Sequence, residues 1–166
     1  MEIKYISIME ETHNERFKIR QIKEPDYYGG YLNVLSDGFQ LDPSSINVMD
    51  FQFFLSSQKG IIFVIEDTEK SLGYGYTNYI IASATVFLEQ KLIHNMGKVG
   101  HIEDVVVSSD YRGHGLGKLI VNKCIDYAKS QGCYKCILDC AEENVEFYKK
   151  CNSDFQEKGI EMALYF

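Results

Sequence analysis

Apolar and polar positions alternate along this chain in short runs, each ended by a glycine, a proline or a charged cluster. Residues 17–22 (FKIRQI) alternate with a period of two and predict a strand, and the shorter IKYISI at 3–8 predicts another. Residues 26–38 carry apolar positions near helical spacing, interrupted by Gly29 and Gly30. Asp42-Pro43 reads as an N-cap followed by proline at the first helical position. The helix it opens runs to about Ser57, with Ile46, Met49, Phe53 and Phe54 on its inward stripe. GIIFVIED (60–67) and YIIASATVFLEQK (79–91) predict two strands of a hairpin, turning at GYGY (73–76). A polar link at 91–98 leads to a strand at 101–107. Gly115–Ser130 is an amphipathic helix with Leu116, Leu119, Ile120, Cys124 and Tyr127 inward and Gly132 as its stop. CYKCILD (133–139) predicts a buried strand, NVEFYKKC (144–151) a short helix, and EMALYF (161–166) a closing strand. The order is α+β, with one strand–loop–helix–strand unit at 101–139.

Composition narrows the class. At 166 residues and 45% hydrophobic content, the chain is expected to form one domain, 1–166, with a real core. The net charge of −7 and the lack of a basic cluster argue against a nucleic-acid partner. No apolar run is long enough for a membrane span, and the start, MEIKYISIMEE, lacks the apolar core of a signal peptide. A cytoplasmic location is expected. The five cysteines, Cys124, Cys133, Cys136, Cys140 and Cys151, are an odd count that argues against a disulfide framework. Cys133-x2-Cys136-x3-Cys140 falls on a predicted strand, where a structural zinc site would want two separated ligand pairs, so no metal is expected.

The segment that carries chemistry is Tyr111-Arg-Gly-His-Gly-Leu-Gly-Lys118, between a strand and a helix. Its glycines let backbone N–H groups approach an anion, and the helix N-terminus adds its positive end. A phosphate or pyrophosphate is the natural guest. The Walker pattern fails, because Arg112 and Leu119 stand where a glycine and a hydroxyl residue are needed. The dinucleotide pattern fails at Lys118, in the place of the third glycine. Arg-x-x-Gly-x-Gly, from Arg112 to Gly117, does fit, and it resembles the acetyl-CoA pyrophosphate loop of the GNAT superfamily.

Three further stretches, KLIH at 91–94, HIEDVVVSSDYRGHGLGKLI at 101–120 and GCYKCILDCAEENVEFYKKC at 132–151, resemble the glucosamine-6-phosphate N-acetyltransferase family. Residues 1–90 resemble it in element order and in VLSDG at 34–38. The resemblance implies a GNAT fold, a mixed and mostly antiparallel sheet flanked by helices and splayed at the coenzyme site. It implies transfer of acetyl from acetyl-CoA to the amine of D-glucosamine 6-phosphate, with the product feeding UDP-N-acetylglucosamine synthesis. Homodimers with sugar sites near the subunit interface are implied as well. By position, Val105, Val106 and Val107 would bind the pantetheine arm. Arg112, Gly113, His114, Gly115, Leu116, Gly117 and Lys118 would hold the pyrophosphate, and Asn144 and Tyr148 would lie near the thioester. Ser36, Lys91, His94, Glu103, Asp104, Tyr134, Lys135 and Asp139 match sugar-phosphate-site positions. The chain differs where Tyr165 replaces an arginine common in the family, and where CNSDF replaces Cys-Gly-Phe.

Amine acetylation needs an acceptor for the amine proton, polarisation of the thioester carbonyl and a stabilised thiolate. Direct attack requires no covalent enzyme intermediate, so the cysteines are not needed as nucleophiles. Glu103 and Asp104 are adjacent on a strand and are expected to face opposite ways. Glu103 is the candidate amine-side acceptor, Asp139 the candidate for orienting the amine or binding sugar hydroxyls, and Tyr148 the candidate acid for the thiolate. Each also has a plainer reading: strand-end carboxylate, helix N-cap and core aromatic, respectively. Acceptors other than the sugar, such as a peptide or polyamine amine, and a non-catalytic acyl-CoA-binding module, are the alternative functions.

Overall fold

The computed structural model describes residues 11–12, 16–70 and 79–165. The strand expected at 3–8 and the turn at 73–76 lie outside them. Six strands form one sheet in chain order: β1 (Glu11–Thr12), β2 (Phe17–Gln21), β3 (Ile61–Asp67), β4 (Tyr79–Gln90), β5 (Lys98–Val107) and β6 (Cys133–Ile137). All neighbours are antiparallel except β5 and β6, which run parallel because a helical crossover joins them. The helices are α1 (Tyr31–Gly38), α2 (Val48–Ser57), α3 (Leu116–Ser130) and α4 (Val145–Cys151).

Two apolar clusters flank the central strands. Ile120, Val121, Cys124 and Ala128 of α3 pack with Phe63, Ile65, Ala82 and Ile102. Tyr31, Leu32 and Val34 of α1 and Phe51 of α2 pack with Ile62, Val64, Ile80 and Val106. β3 and β4 are therefore buried on both faces, which explains their near-continuous apolar runs. Arg20 is buried between Asp26, at 2.7 and 2.8 Å, and Glu66, at 2.6 Å. This network fixes the turn Glu24–Tyr27 that leads into α1.

Several expectations need correction. The helix expected over 26–38 begins only at Tyr31, because Gly30 adopts φ +86° and breaks the run. Asp42-Pro43 opens only the short turn Pro43–Ser45, which Asp42 caps. α2 starts separately at Val48, its first N–H groups accepted by the Asn47 side chain in a capping box with Asp50. Its phase is set by Phe51, which packs on Tyr27 and Tyr31 at 5.6 and 5.7 Å. Met49 and Phe53 consequently point outward, 74% and 72% exposed, and Phe54 is also exposed. β6 is not a buried strand. It ends the sheet, has only β5 as a neighbour, and leaves Tyr134, Lys135 and Ile137 exposed. The closing strand is absent among the described residues: 152–165 lack a helix or strand, and Ile160 and Met162 are each 94% exposed. An extended segment becomes a strand only beside a partner edge, and the described residues supply none there.

Candidate active site

β5 and β6 run side by side only as far as His101 and Ile137. β5 continues to Val107, while the chain after β6 departs through a short turn into α4. The two strands therefore part, and from Glu103 to Val107 the edge of β5 away from β4 has no strand partner among the described residues. Backbone N–H and C=O groups on such an edge need an external partner. A cavity of about 680 Å³ opens in this gap.

Its main walls come from three places. Val105, Val106 and Val107 supply the strand side; Arg112, Gly113, Gly115, Leu116, Gly117 and Lys118 the loop; Asn144 and Tyr148 the far side. The cavity thus gathers every candidate coenzyme residue except His114. That ring turns back toward the Tyr111 and Arg112 carbonyls, at 3.3 and 3.1 Å. Gly38, Phe147, Lys150 and Cys151, which the sequence reading did not assign to the site, also line it. Phe147 was findable, being adjacent to Tyr148 on a short helix. Gly38 arrives from a distant helix, and VLSDG at 34–38 contains it without pointing to the cavity.

The loop is built for an anion. Gly113 and Gly115 have φ of +83° and +76°, a region costly for other residues, and a Cβ on either would meet nothing within 4 Å. Gly115 stands at the N-cap of the 15-residue α3 and offers no capping side chain, so the first N–H groups of that helix remain available. Lys118 and Lys150 add positive charge locally in a chain of net charge −7. Arg112, which lines the cavity, also has a structural part. Its Nε donates to the Val107 carbonyl at 3.2 Å and its Nη2 to the Asp37 carbonyl at 3.3 Å, so its side chain braces the loop. Tyr111 anchors the loop entrance: its buried hydroxyl donates to Asp67 at 2.8 Å, and Arg16 grips the same carboxylate at 2.7 and 2.9 Å.

The expected opposition of Glu103 and Asp104 meets a β-bulge. Ser83 pairs with Val106 and Thr85 with Glu103, so Asp104 and Val105 together face one residue of β4. Asp104 takes φ +52°, and strict alternation ends there. Glu103 shares an open recess with Phe87, Glu89 and His101. Burial raises its pKa above the ordinary glutamate value, and the charges of Asp104 and Asp139 push it further. Burial pushes the Tyr148 phenol up to about 12, with Cys140, Cys151 and Glu103 adding to the shift. Asp139 caps neither following helical segment, and Asn144, at the start of α4, makes no capping bond with its side chain.

The remaining acceptor-side candidates divide. His94 stacks on Tyr134 with ring centroids 4.4 Å apart, and the Lys135 ammonium lies 5.9 Å from the Tyr134 ring. His94, Asn95 and Met96 all have positive φ, a single left-handed turn at the tip between β4 and β5. Lys91 is ion-paired with Glu89, which also contacts His101 Nε2 at 2.9 Å. The Ser36 hydroxyl donates back to the Asn33 carbonyl of its own helix at 2.8 Å.

Known proteins give this geometry a context. Residues 17–152 match the Acetyltransferase (GNAT) family. The chain is 39% identical to the glucosamine 6-phosphate N-acetyltransferase of Arabidopsis thaliana, over 92% of this chain and 98% of that protein. It is 45% identical to the enzyme of that name from Candida albicans, over 90% and 96% of the two chains. The crystal structure of the Arabidopsis protein superposes with a TM-score of 0.78 at 38% identity, covering 92% of this chain and 99% of that one. With a parted sheet, a glycine loop at a helix N-terminus and relatives of nearly equal length, this chain belongs to the GNAT acetyltransferase family.

Proposed function

We propose that this protein transfers the acetyl group of acetyl-CoA to the amine of D-glucosamine 6-phosphate, releasing N-acetyl-D-glucosamine 6-phosphate and CoA. The reading includes a single domain acting in the cytoplasm as a homodimer, with the product entering UDP-N-acetylglucosamine synthesis. The observation that carries it is the cavity at the parted strands, lined by the glycine loop and by Tyr148, whose phenol feels the charge of Glu103 from the neighbouring stretch of β5. Relatives that match over nearly their whole length and bear this enzyme's name support the acceptor.

The residues divide the chemistry among themselves. Backbone N–H groups of the loop and of the first turn of α3 hold the pyrophosphate. The free edge of β5 holds the pantetheine amides as a neighbouring strand would. Glu103, directly or through water, takes the proton that the ammonium must lose before attack. Its raised pKa suits a base working near neutrality. The nitrogen adds to the thioester carbonyl carbon, the C–S bond then breaks, Tyr148 gives its proton to the departing sulfur, and the second proton leaving the nitrogen restores the phenol, directly or through water.

Lys91, His94, Tyr134 and Lys135 sit toward the start of β5 and β6. Four residues of strand, roughly 13 Å, separate the level of Lys135 from that of Asp139. An acceptor bridging them needs its amine and its anion at opposite ends, as an amino-sugar phosphate has. Exposed Ile160, Met162 and Leu164 and the free edge of β6 support a second copy as the missing strand partner. The carboxylates Glu103, Asp104 and Asp139, together with the pairing of Lys91 to Glu89, favour the alternative of a cationic polyamine acceptor. Release of CoA decides between them. Two charge-assisted phosphate contacts at about 1.5 kcal/mol each should favour glucosamine 6-phosphate over glucosamine by about 100-fold in kcat/KM. Equal values for the two sugars, or preference for a polyamine, would reject the acceptor.

A further inference from the structure

Asp37, at the end of α1, takes no part in the transfer itself, yet it joins the two halves of the site. Its carboxylate accepts the Ser109 backbone N–H at 3.0 Å and lies 3.5 Å from the Ser109 hydroxyl. Its own carbonyl accepts from Arg112, whose other donor holds Val107 at the end of β5. One residue of α1 therefore grips both ends of the turn Ser109–Tyr111, which feeds the glycine loop. The neighbouring Gly38 lines the cavity and abuts Val106 so closely that a Cβ would lie 2.7 Å from Val106 Cγ2. Ser36, the acceptor-side candidate of α1, immediately precedes this contact. The Ser109 N–H and the Ser108 hydroxyl hold the Asp37 carboxyl below the usual range, with Arg112 contributing, so it stays ionised near neutrality.

We infer that Asp37 is a positioning residue that couples α1 to the acetyl-CoA loop, so that filling one substrate site favours filling the other. Coupling of this kind requires a contact that both ligands bias, and the effect is reciprocal between them. The inference rests on acetyl-CoA binding along the glycine loop. The Ser109 N–H is the donor to disturb, and its position allows a selective change. Ser109 is the first residue of its turn, and Ser108 is extended, with φ −50° and ψ +136°. Proline fits that place and removes only the N–H and the hydroxyl.

Calorimetry tests this with CoA as the probe, titrated with and without saturating glucosamine 6-phosphate, a pair that cannot react. In the wild type the sugar phosphate should tighten CoA by at least about fivefold, the low end of typical coupling. Asp37→Ala and Ser109→Pro should weaken CoA binding alone and bring that ratio close to one. Asp37→Asn, whose amide oxygen still accepts the Ser109 N–H, should keep the ratio. A structural role alone would lower melting temperature without touching the ratio. Retention of the wild-type ratio in folded Asp37→Ala or Ser109→Pro overturns the inference, as does an Asn variant that behaves like Ala. If the wild type binds no CoA, the functional reading itself fails and the coupling with it, a result distinct from CoA binding that is insensitive to Asp37.

Discussion

Replacing Tyr148 with phenylalanine removes one hydroxyl and leaves the ring. The ring meets Phe147 edge-on at 5.0 Å and Phe155 at 6.4 Å, contacts that phenylalanine keeps, so the melting temperature should hardly move. The phenol, pushed up to about 12, is protonated throughout the neutral range and has a proton to give whenever the thiolate forms. Removing a donor aimed at charge that develops in the transition state costs about 10²–10³ in kcat, or roughly 2.7–4 kcal/mol. That interaction is absent in the ground state, so the loss should fall on kcat while the KM for acetyl-CoA stays nearly constant. Thiol release at saturating concentrations of both substrates measures it. A thioester with a more acidic thiol leaves more easily unaided, so the penalty should shrink with such a donor. If kcat stays within about threefold of wild type, or only affinity for acetyl-CoA falls, Tyr148 is packing and the thiolate is managed elsewhere.

Three other outcomes are expected. Glu103→Gln should lower kcat by about 10²–10⁴ and remove the acidic limb of the pH profile, a limb that must persist if another group is the base. Because folding raises the Glu103 pKa, the folded state binds more protons than the unfolded state between the ordinary and the raised value. Stability is thus lost as pH rises through that window, and the glutamine variant should melt no lower than wild type at neutral pH. Gly115→Val should weaken acetyl-CoA by at least about tenfold by filling the ligand's space, with a strain cost of about 1–2 kcal/mol from its φ of +76°. Calorimetry on the folded variant checks it, and unchanged affinity would sink the loop assignment. Deleting residues 160–166 should convert dimer to monomer in sedimentation, whereas a dimer that survives the deletion would place the interface elsewhere.

What could be read from the sequence was local. The loop from Arg112 to Lys118 declares itself because Gly113 and Gly115 answer backbone demands within a few residues. The strands and α3 follow from periodicity along single segments. The failures share a cause in partners far along the chain or outside it. Asp37 meets Ser109 across 72 residues, and although VLSDG at 34–38 includes it, nothing local points to that distant partner. The stripe on α2 is set by where Phe51 docks, so helical spacing alone chose the wrong face. EMALYF has a strand's alternation, but alternation cannot supply the edge it needs. Some of the remainder was accessible: Glu89 and Lys91 are two apart at a strand end, the spacing that puts side chains on one face, so their pairing could have been foreseen.

The parting of β5 from β6 leaves a seam inside the sheet, and that seam makes the coenzyme a component of the architecture as well as a reactant. Without it, the backbone groups of β5 beyond His101 that face away from β4 have no strand partner among the described residues. A ligand lying in the seam completes the ladder. Mass action then adds about 2.7 kcal/mol to the folding free energy at a concentration one hundred times its Kd. Saturating acetyl-CoA would then also shield the chain from proteases, because it lowers the population of the opened seam.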